Sequence, residues 1–216
     1  MNRLKLLLAS ALLATSVAAC APALAHTSRV DPVKVEISRA ELRTKLAERR
    51  AATIKNFLAY RDARVYPVNL LPGGGFRHVW VDGNGNLCAA ATLISKDWGR
   101  DATVRIGIPN VEIKMADATG DLANWILTSG LTRAEIVAIQ VPGWNGGRDV
   151  IPIDQFQLET ERLYGIYFDV ERQMKSLAEQ NLDLAVDQLM KRPDLAREVL
   201  GGRVAGPGVY AKPPVG

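Results

Sequence analysis

The chain has 216 residues, of which 48% are hydrophobic and 23% are charged, and its 27 basic and 23 acidic side chains give a formal net charge of +4. This apolar content and low net charge exclude an intrinsically disordered chain. Two cysteines are too few for a disulfide-rich scaffold, and the length is typical of one domain with appendages.

The first 25 residues have the three parts of a secretory signal peptide. Arg3 and Lys5 make a basic start, residues 6–19 carry no charge, and small residues accumulate up to Ala25. The apolar stretch, about 14 residues, is shorter than the roughly 20 that span a bilayer. We therefore expect export to the periplasm or the cell exterior after cleavage near Ala25. We expect no transmembrane segment in the mature chain.

A second processing site overlaps the first. Residues 17–20 resemble a bacterial lipobox with Cys20 as the acylated residue, so a membrane-anchored lipoprotein is the alternative. The small, apolar residues that follow Cys20 slightly favour cleavage after Ala25 over acylation. Either route leaves Cys88 without a partner inside the chain, which excludes an internal disulfide.

Residues 38–62 are predicted to form a basic helix. Ser38 and Glu41 have the spacing of a capping box, and apolar residues recur on one face at helical spacing. The other face is mostly basic, and we interpret it first as a solvated surface. A second interpretation is contact with an anionic surface or an acidic partner, through Arg39, Arg43, Arg49 and Arg50.

A small antiparallel β element is predicted near the middle of the chain. Residues 76–81 are rich in aromatic and β-branched side chains, and residues 82–86 form a strong turn signal. Residues 87–94 allow two interpretations, the return strand or a short buried helix rich in alanine. Alternating apolar residues within 99–115 predict further strands, broken at Pro109.

Residues 119–140 are predicted to form two helices around a glycine corner. Gly130 suits a helix terminator, and Thr132 and Glu135 repeat the capping-box spacing. The pair resembles a DNA-binding helix-turn-helix in outline only, because its second helix is poor in basic side chains. Together with the predicted export, this excludes nucleic acid as a partner.

A long helix is predicted from about residue 157 to residue 191. Mostly apolar residues follow a heptad-like spacing along it, at Leu163, Tyr167, Val170, Met174, Leu177, Asn181, Leu184 and Gln188. We interpret this seam first as an intramolecular contact and second as a self-association surface. Gly165 is a candidate interruption, and Pro193 ends the helix or opens a short further one. Residues 201–216, rich in glycine and proline, predict a flexible tail.

These elements together predict an α+β fold that is mostly helical. It would combine the basic N-terminal helix, the small antiparallel β element, the central helix-turn-helix corner and the long C-terminal helix. The predicted organisation is a signal peptide over residues 1–25, a single domain over residues 26–200 and the tail.

The candidate catalytic residues are Cys88, His78 and Asp82. A cysteine nucleophile needs its thiolate stabilised by an imidazolium, with a third polar group orienting the ring. A hairpin over residues 76–94 would bring His78 near Cys88. The competing and favoured interpretation is a buried structural cysteine, because Cys88 opens an apolar run rich in alanine.

The sequence predicts neither a metal site nor a bound cofactor. The turn that starts at Asp82 begins like a calcium loop, but Leu87 and Leu93 stand where that loop needs glycine and glutamate. The three glycines at 73–75 lack the lysine and hydroxyl residue of a phosphate-binding loop.

The function that these features favour is a non-enzymatic binding or structural module of the bacterial envelope. Two alternatives belong to other classes. One is a small exported hydrolase or transferase that uses Cys88 with His78, and the other is a helical protein that self-associates through residues 157–191.

Overall fold

The computed structural model describes residues 36–67, 78–140 and 155–207. Within these ranges the chain forms eight α-helices: α1 (Arg39–Ala63), α2 (Ala89–Trp98), α3 (Arg100–Gly107), α4 (Gly120–Thr128), α5 (Arg133–Gln140), α6 (Gln155–Ser176), α7 (Ala178–Met190) and α8 (Pro193–Leu200). A 3-10 turn, Met115–Asp117, lies between α3 and α4. The predicted signal peptide, including Cys20 and Ala25, lies outside the described residues.

The predicted α+β class is wrong, because the described ranges contain helices and no strand or sheet. In place of a hairpin, Val81 and Leu87 form an isolated antiparallel bridge across the 82–86 turn. The Cys88 N–H donates to the Trp80 carbonyl at 3.0 Å, and the chain then turns directly into α2. Of the two interpretations of residues 87–94, the buried helix is correct, since a run of alanines favours a helix over a strand.

The strands predicted within residues 99–115 are replaced by α3, a loop and the 3-10 turn. The residues that α3 buries are Thr103 and Gly107, which lie one helical turn apart, while Ile108 is 71% exposed. A Cβ added at Gly107 would lie 2.4 Å from Cδ1 of Trp80. The buried positions of this helix are therefore small residues, with Val104 packed beside them against the core.

Helix α1 confirms the basic helix predicted over residues 38–62. Its N-cap, Ser38, accepts a hydrogen bond from the Glu41 N–H at 3.3 Å, and Arg64 ends it in the left-handed region at φ 52°. It packs against α2, α6, α7 and α8. Helix α1 is thus the central element of the described fold.

Helices α4 and α5 confirm the predicted helix corner and its capping box. The Thr132 N–H donates to Oε2 of Glu135 at 2.8 Å, and the Glu135 N–H donates back to Oγ1 of Thr132 at 3.2 Å. Gly130 has φ +80°, and a Cβ there would lie 2.4 Å from the backbone nitrogen of Arg50. Glycine is required at this corner both for its conformation and for the close approach of α1.

The predicted long C-terminal helix is wrong as one continuous element. It divides into α6 and α7 at Leu177, whose φ of −110° and ψ of 16° leave the helical region, whereas Gly165 lies inside α6 without interrupting it. The seam is buried up to Met174, but Leu177 is 38% and Leu184 45% exposed. The buried face of α7 is a different set, made of Leu182, Ala185, Val186 and Leu189. Self-association through the exposed part stays a prediction.

Two apolar clusters hold the helices together. The first surrounds Trp80 and Trp125 between α1, α2, α5 and α6, and the second joins the start of α1 to α7 and α8. Residues 201–207 reach back to the fold, since Trp98 Nε1 donates to the Ala205 carbonyl at 2.6 Å and Ala205 is 5% exposed. Among the described helices, none combines the length and the apolar character needed to cross a membrane.

Candidate functional site

His78 and Cys88 line the same small cavity. His78 precedes the bridged turn, and Cys88 follows it as the N-cap of α2, with its Sγ accepting from the Ala91 N–H at 3.5 Å. The cavity has a volume of about 10 Å³, which is close to the space of one water molecule. The rings of Tyr60 and Tyr167 form part of its wall. The turn therefore brings together the two residues that a hairpin was expected to bring together.

Gln140, the last residue of α5, determines how the His78 ring is hydrogen-bonded. The Met115 N–H donates to Gln140 Oε1 at 2.7 Å, and Gln140 Nε2 donates to the Ile113 carbonyl at 2.9 Å. These two bonds orient the amide so that its Nε2 faces His78 Nε2 at 3.0 Å. An amide NH₂ only donates, so His78 Nε2 accepts, and the ring carries its proton on Nδ1.

The two candidate catalytic residues that line the cavity, His78 and Cys88, are held in their neutral forms. Burial lowers the pKa of His78, against the smaller opposing effect of the Ile113 carbonyl. Burial raises the pKa of the Cys88 thiol to about 11, although the Ala91 N–H and the Gln140 amide favour the thiolate. A nucleophilic cysteine needs the opposite shifts, a lowered thiol pKa beside a protonated imidazole. The resting arrangement is therefore a neutral polar cluster.

Asp82 organises the turn between His78 and Cys88. Its Oδ1 accepts from the backbone N–H groups of Asn84 at 2.9 Å and Asn86 at 2.7 Å, and its Oδ2 accepts from Asn86 Nδ2 at 3.1 Å. These bonds are those of an Asx turn. The part of the chain that the structure describes has no cluster of three or more histidine, cysteine, aspartate or glutamate side chains suited to a metal ion.

The four arginines predicted to meet an anionic partner each form an ion pair within the chain. Three of these arginines form their pairs outside the core: Arg39 with Asp187 at 2.5 Å, Arg43 with Glu179 at 2.5 Å and Asp183 at 2.9 Å, and Arg49 with Asp97 at 2.8 Å. Acidic side chains of α2 and α7 thus neutralise the first half of the basic face.

The fourth arginine, Arg50, forms a buried pair with Glu135, and each side chain is 6% exposed. Two hydrogen bonds of 2.9 and 2.6 Å join the guanidinium to the carboxylate. Arg50 also donates to the carbonyls of Gly130 at 3.4 Å and Met174 at 3.2 Å. Burial acts to raise the pKa of Glu135, but Arg50 and the Thr132 N–H hold it below its usual value. This pair ties α1 to α5, to the corner between α4 and α5, and to the end of α6.

A larger open groove lies between the second half of α1 and α2. Its volume is about 310 Å³, close to the lower end of the range typical of small-molecule sites, about 300–1,000 Å³. Lys96 and Arg100 line it, together with polar and apolar side chains and no carboxylate. The α1–α2 groove is thus a ligand-sized surface to which two basic side chains contribute.

Sequence reasoning missed Gln140 and the groove. The available signal for Gln140 was a polar residue at the end of a capped, apolar helix, which is too common to single it out. Comparison of the chain with protein-family models, curated proteins and solved structures finds no match.

Proposed function

We propose that the protein is an exported, non-enzymatic binding or structural module of the bacterial envelope. The observation that carries the non-enzymatic part is the neutral, buried state of Cys88 and His78. The sequence of residues 1–25 supports export. The fold serves as a scaffold of packed helices, and its surface does the binding.

The expected anionic partner would meet strong competition at Arg39, Arg43, Arg49 and Arg50. It would have to displace carboxylates that already accept from these guanidiniums at 2.5–2.9 Å. Exposed pairs are weak and can exchange, whereas Arg50 is enclosed with Glu135. These arginines therefore serve to hold the helices together. A ligand would bind more readily at basic side chains that have no ion pair within the described residues.

Labelling of Cys88 with iodoacetamide tests the non-enzymatic proposal. We expect slow modification of the folded protein at neutral pH and fast modification after unfolding in urea, because the thiol is buried and its pKa is raised to about 11. The rate in folded His78→Gln should equal that of the parent protein. Rapid labelling of the folded protein that slows in His78→Gln would contradict the proposal.

The mass of the N-terminal peptide of the exported protein tests the proposed export. A peptide that begins at His26 supports the soluble exported form, and an acylated Cys20 supports the lipoprotein. An unprocessed N-terminus in the cytoplasm would contradict export.

An exported hydrolase or transferase remains the second candidate. One observation favours it: His78 and Cys88 share a cavity, and Gln140 connects them. A cavity of about 10 Å³ admits a water molecule and no organic substrate. This function therefore needs an opened form of the site, and the labelling experiment above detects such a form.

A further inference from the structure

The α1–α2 groove differs from the rest of the basic surface in its charge balance. Lys96 and Arg100 contribute two positive charges to the lining, which includes no carboxylate. Two acidic residues are neighbours of these cations in the sequence. Asp97 accepts from Arg49 Nη2 at 2.8 Å and from Trp125 Nε1 at 2.8 Å, and Asp101 is exposed and does not line the groove. Within the described ranges, neither Lys96 nor Arg100 has an ion pair. The described lining of the groove thus carries a net positive charge.

Arg100 is held at the edge of this groove by the turn. Its Nη2 donates to the Gly85 carbonyl, which leaves the other N–H groups of the guanidinium for a ligand. Gly85 has φ +82°, and a Cβ there would lie 3.0 Å from Arg100 Nη2. The glycine therefore permits both the turn and the approach of the arginine. A guanidinium fixed in this way loses less conformational entropy when it binds an anion.

The remaining lining is partly apolar. Val65 is 57% exposed, and Ala59 and Ala63 are exposed on the same helix end. Asn56 adds a carboxamide on the α1 side. An inorganic anion would leave this apolar surface in water, whereas an organic anion would cover it.

We propose that the α1–α2 groove binds a small organic anion, with a carboxylate or phosphate head at Lys96 and Arg100 and an apolar body against Val65 and its neighbours. This proposal rests on the proposed binding function and names the class of ligand that the protein would bind. The same head chemistry belongs to free amphiphilic acids and to anionic lipid headgroups. The experiment below separates these two sources.

The test is a titration of the purified protein, followed by amide chemical shifts, with octanoate and octyl phosphate as probes and 1-octanol as the uncharged control. We expect shifts at the groove for both anions and none for octanol. Lys96→Gln/Arg100→Gln should raise the dissociation constants at least about tenfold, because hydrogen bonds to charged groups are lost. Raising salt from about 0.05 to 0.5 M should also weaken binding.

The matched control is Arg43→Gln/Lys45→Gln, which removes two positive charges from the first half of α1, outside the groove, and should leave both affinities unchanged. Equal binding of octanol, equal affinities in Lys96→Gln/Arg100→Gln, or no binding of either anion would overturn the proposal. Unchanged far-ultraviolet circular dichroism shows that each variant is folded. Iodoacetamide labelling of Cys88 is independent of these results, so loss of the groove proposal leaves the non-enzymatic proposal standing.

A second arm uses vesicles of phosphatidylglycerol and of phosphatidylcholine. Binding to the anionic vesicles that octyl phosphate displaces, and that Lys96→Gln/Arg100→Gln loses, identifies a lipid headgroup as the source. Binding of the free probes without vesicle binding identifies a soluble acid. Vesicle binding that the Lys96→Gln/Arg100→Gln exchange leaves intact, without binding of the free probes, would contradict a site in the groove.

Discussion

Two buried polar sites in this fold show opposite responses to the same loss of water. Arg50 and Glu135 lie together with side chains that are 6% exposed, and Glu135 keeps a pKa below its usual value. His78 and Cys88 are 5% and 6% exposed, and burial shifts both pKa values towards the neutral forms. A charged partner at hydrogen-bond distance preserves ionisation, whereas a neutral amide such as Gln140 does not.

The two sites also differ in what they connect. Arg50 of α1 binds Glu135 of α5 and the carbonyls of Gly130 in the corner and Met174 in α6, so the pair fixes three helices relative to one another. His78 and Gln140 join the start of the bridged turn to the end of α5 and to the loop at Ile113. We expect the first site to dominate stability and the second to give a pH dependence.

The largest effect is expected from breaking the buried ion pair. Arg50→Met leaves the Glu135 carboxylate buried without its guanidinium and should lower the free energy of unfolding by about 3–5 kcal/mol. Urea denaturation measures this loss. The double variant Arg50→Met/Glu135→Leu removes both charges and should recover most of it. Equal losses in the single and double variants would show that the pair's other hydrogen bonds, not the orphaned charge, set the cost.

A smaller effect is expected from the glycine corner that brings the same site together. Gly130→Ala adds a methyl group 2.4 Å from the Arg50 backbone nitrogen, at φ +80°, and should cost about 2–4 kcal/mol. Gly165→Ala is the matched control, because no atom lies within 4 Å of the added Cβ in the middle of α6. It should stabilise the protein by about 1 kcal/mol. A neutral Gly130→Ala in thermal denaturation would contradict the close approach of α1.

The third and smallest effect is a pH dependence of the free energy of unfolding that arises from His78. The pKa of His78 is lowered in the folded protein by burial, with Glu112 and Lys114 as the charged groups acting on it. Below about pH 6.5 the unfolded chain takes up a proton at this histidine before the folded chain does. The free energy of unfolding should therefore fall between about pH 7 and 5 more steeply than in His78→Gln. Parallel curves from urea denaturation would contradict a buried neutral imidazole.

Local signals predicted the helix ends well. Ser38 and Thr132 each stand three residues before a glutamate, and both cap a helix as expected. Such signals succeed because the hydrogen bonds involved lie within four residues of chain. Gly130 was likewise recognisable as a terminator, although its closeness to Arg50 depends on residues 80 positions away in the chain.

Periodicity failed where the core accepts small side chains. Ile106 and Ile108 suggested a strand, but α3 packs through Thr103 and Gly107 against Trp80. A pattern of large apolar residues carries no information about a face made of glycine and threonine. The heptad-like seam failed for another reason, since the buried face changes at Leu177 and the seam positions Leu177 and Leu184 are exposed.

The candidate site was predictable in part. The five-residue turn alone implied that His78 and Cys88 approach each other, and they share a cavity. Their protonation states depend on burial and on Gln140, which lies more than 50 residues from both. The pairing of Arg39 and Arg43 with α7 could not be predicted either, because acidic residues some 140 positions away give no local signal.

The break at Leu177 has a consequence for how the chain tolerates changes of length. In an unbroken helix, one inserted residue rotates everything after it by about 100° and turns the buried face outward. Here α6 and α7 bury different faces against different clusters, and a non-helical residue separates them. The hydrogen bonds from the Leu177 N–H to the Gln173 carbonyl and from the Asn181 N–H to the Leu177 carbonyl, 3.2 and 2.8 Å long, continue across this residue, so the junction is a local distortion that keeps α6 and α7 in line. One extra residue at this junction should be tolerated better than the same insertion inside α6, which would misalign Tyr167 or Met174.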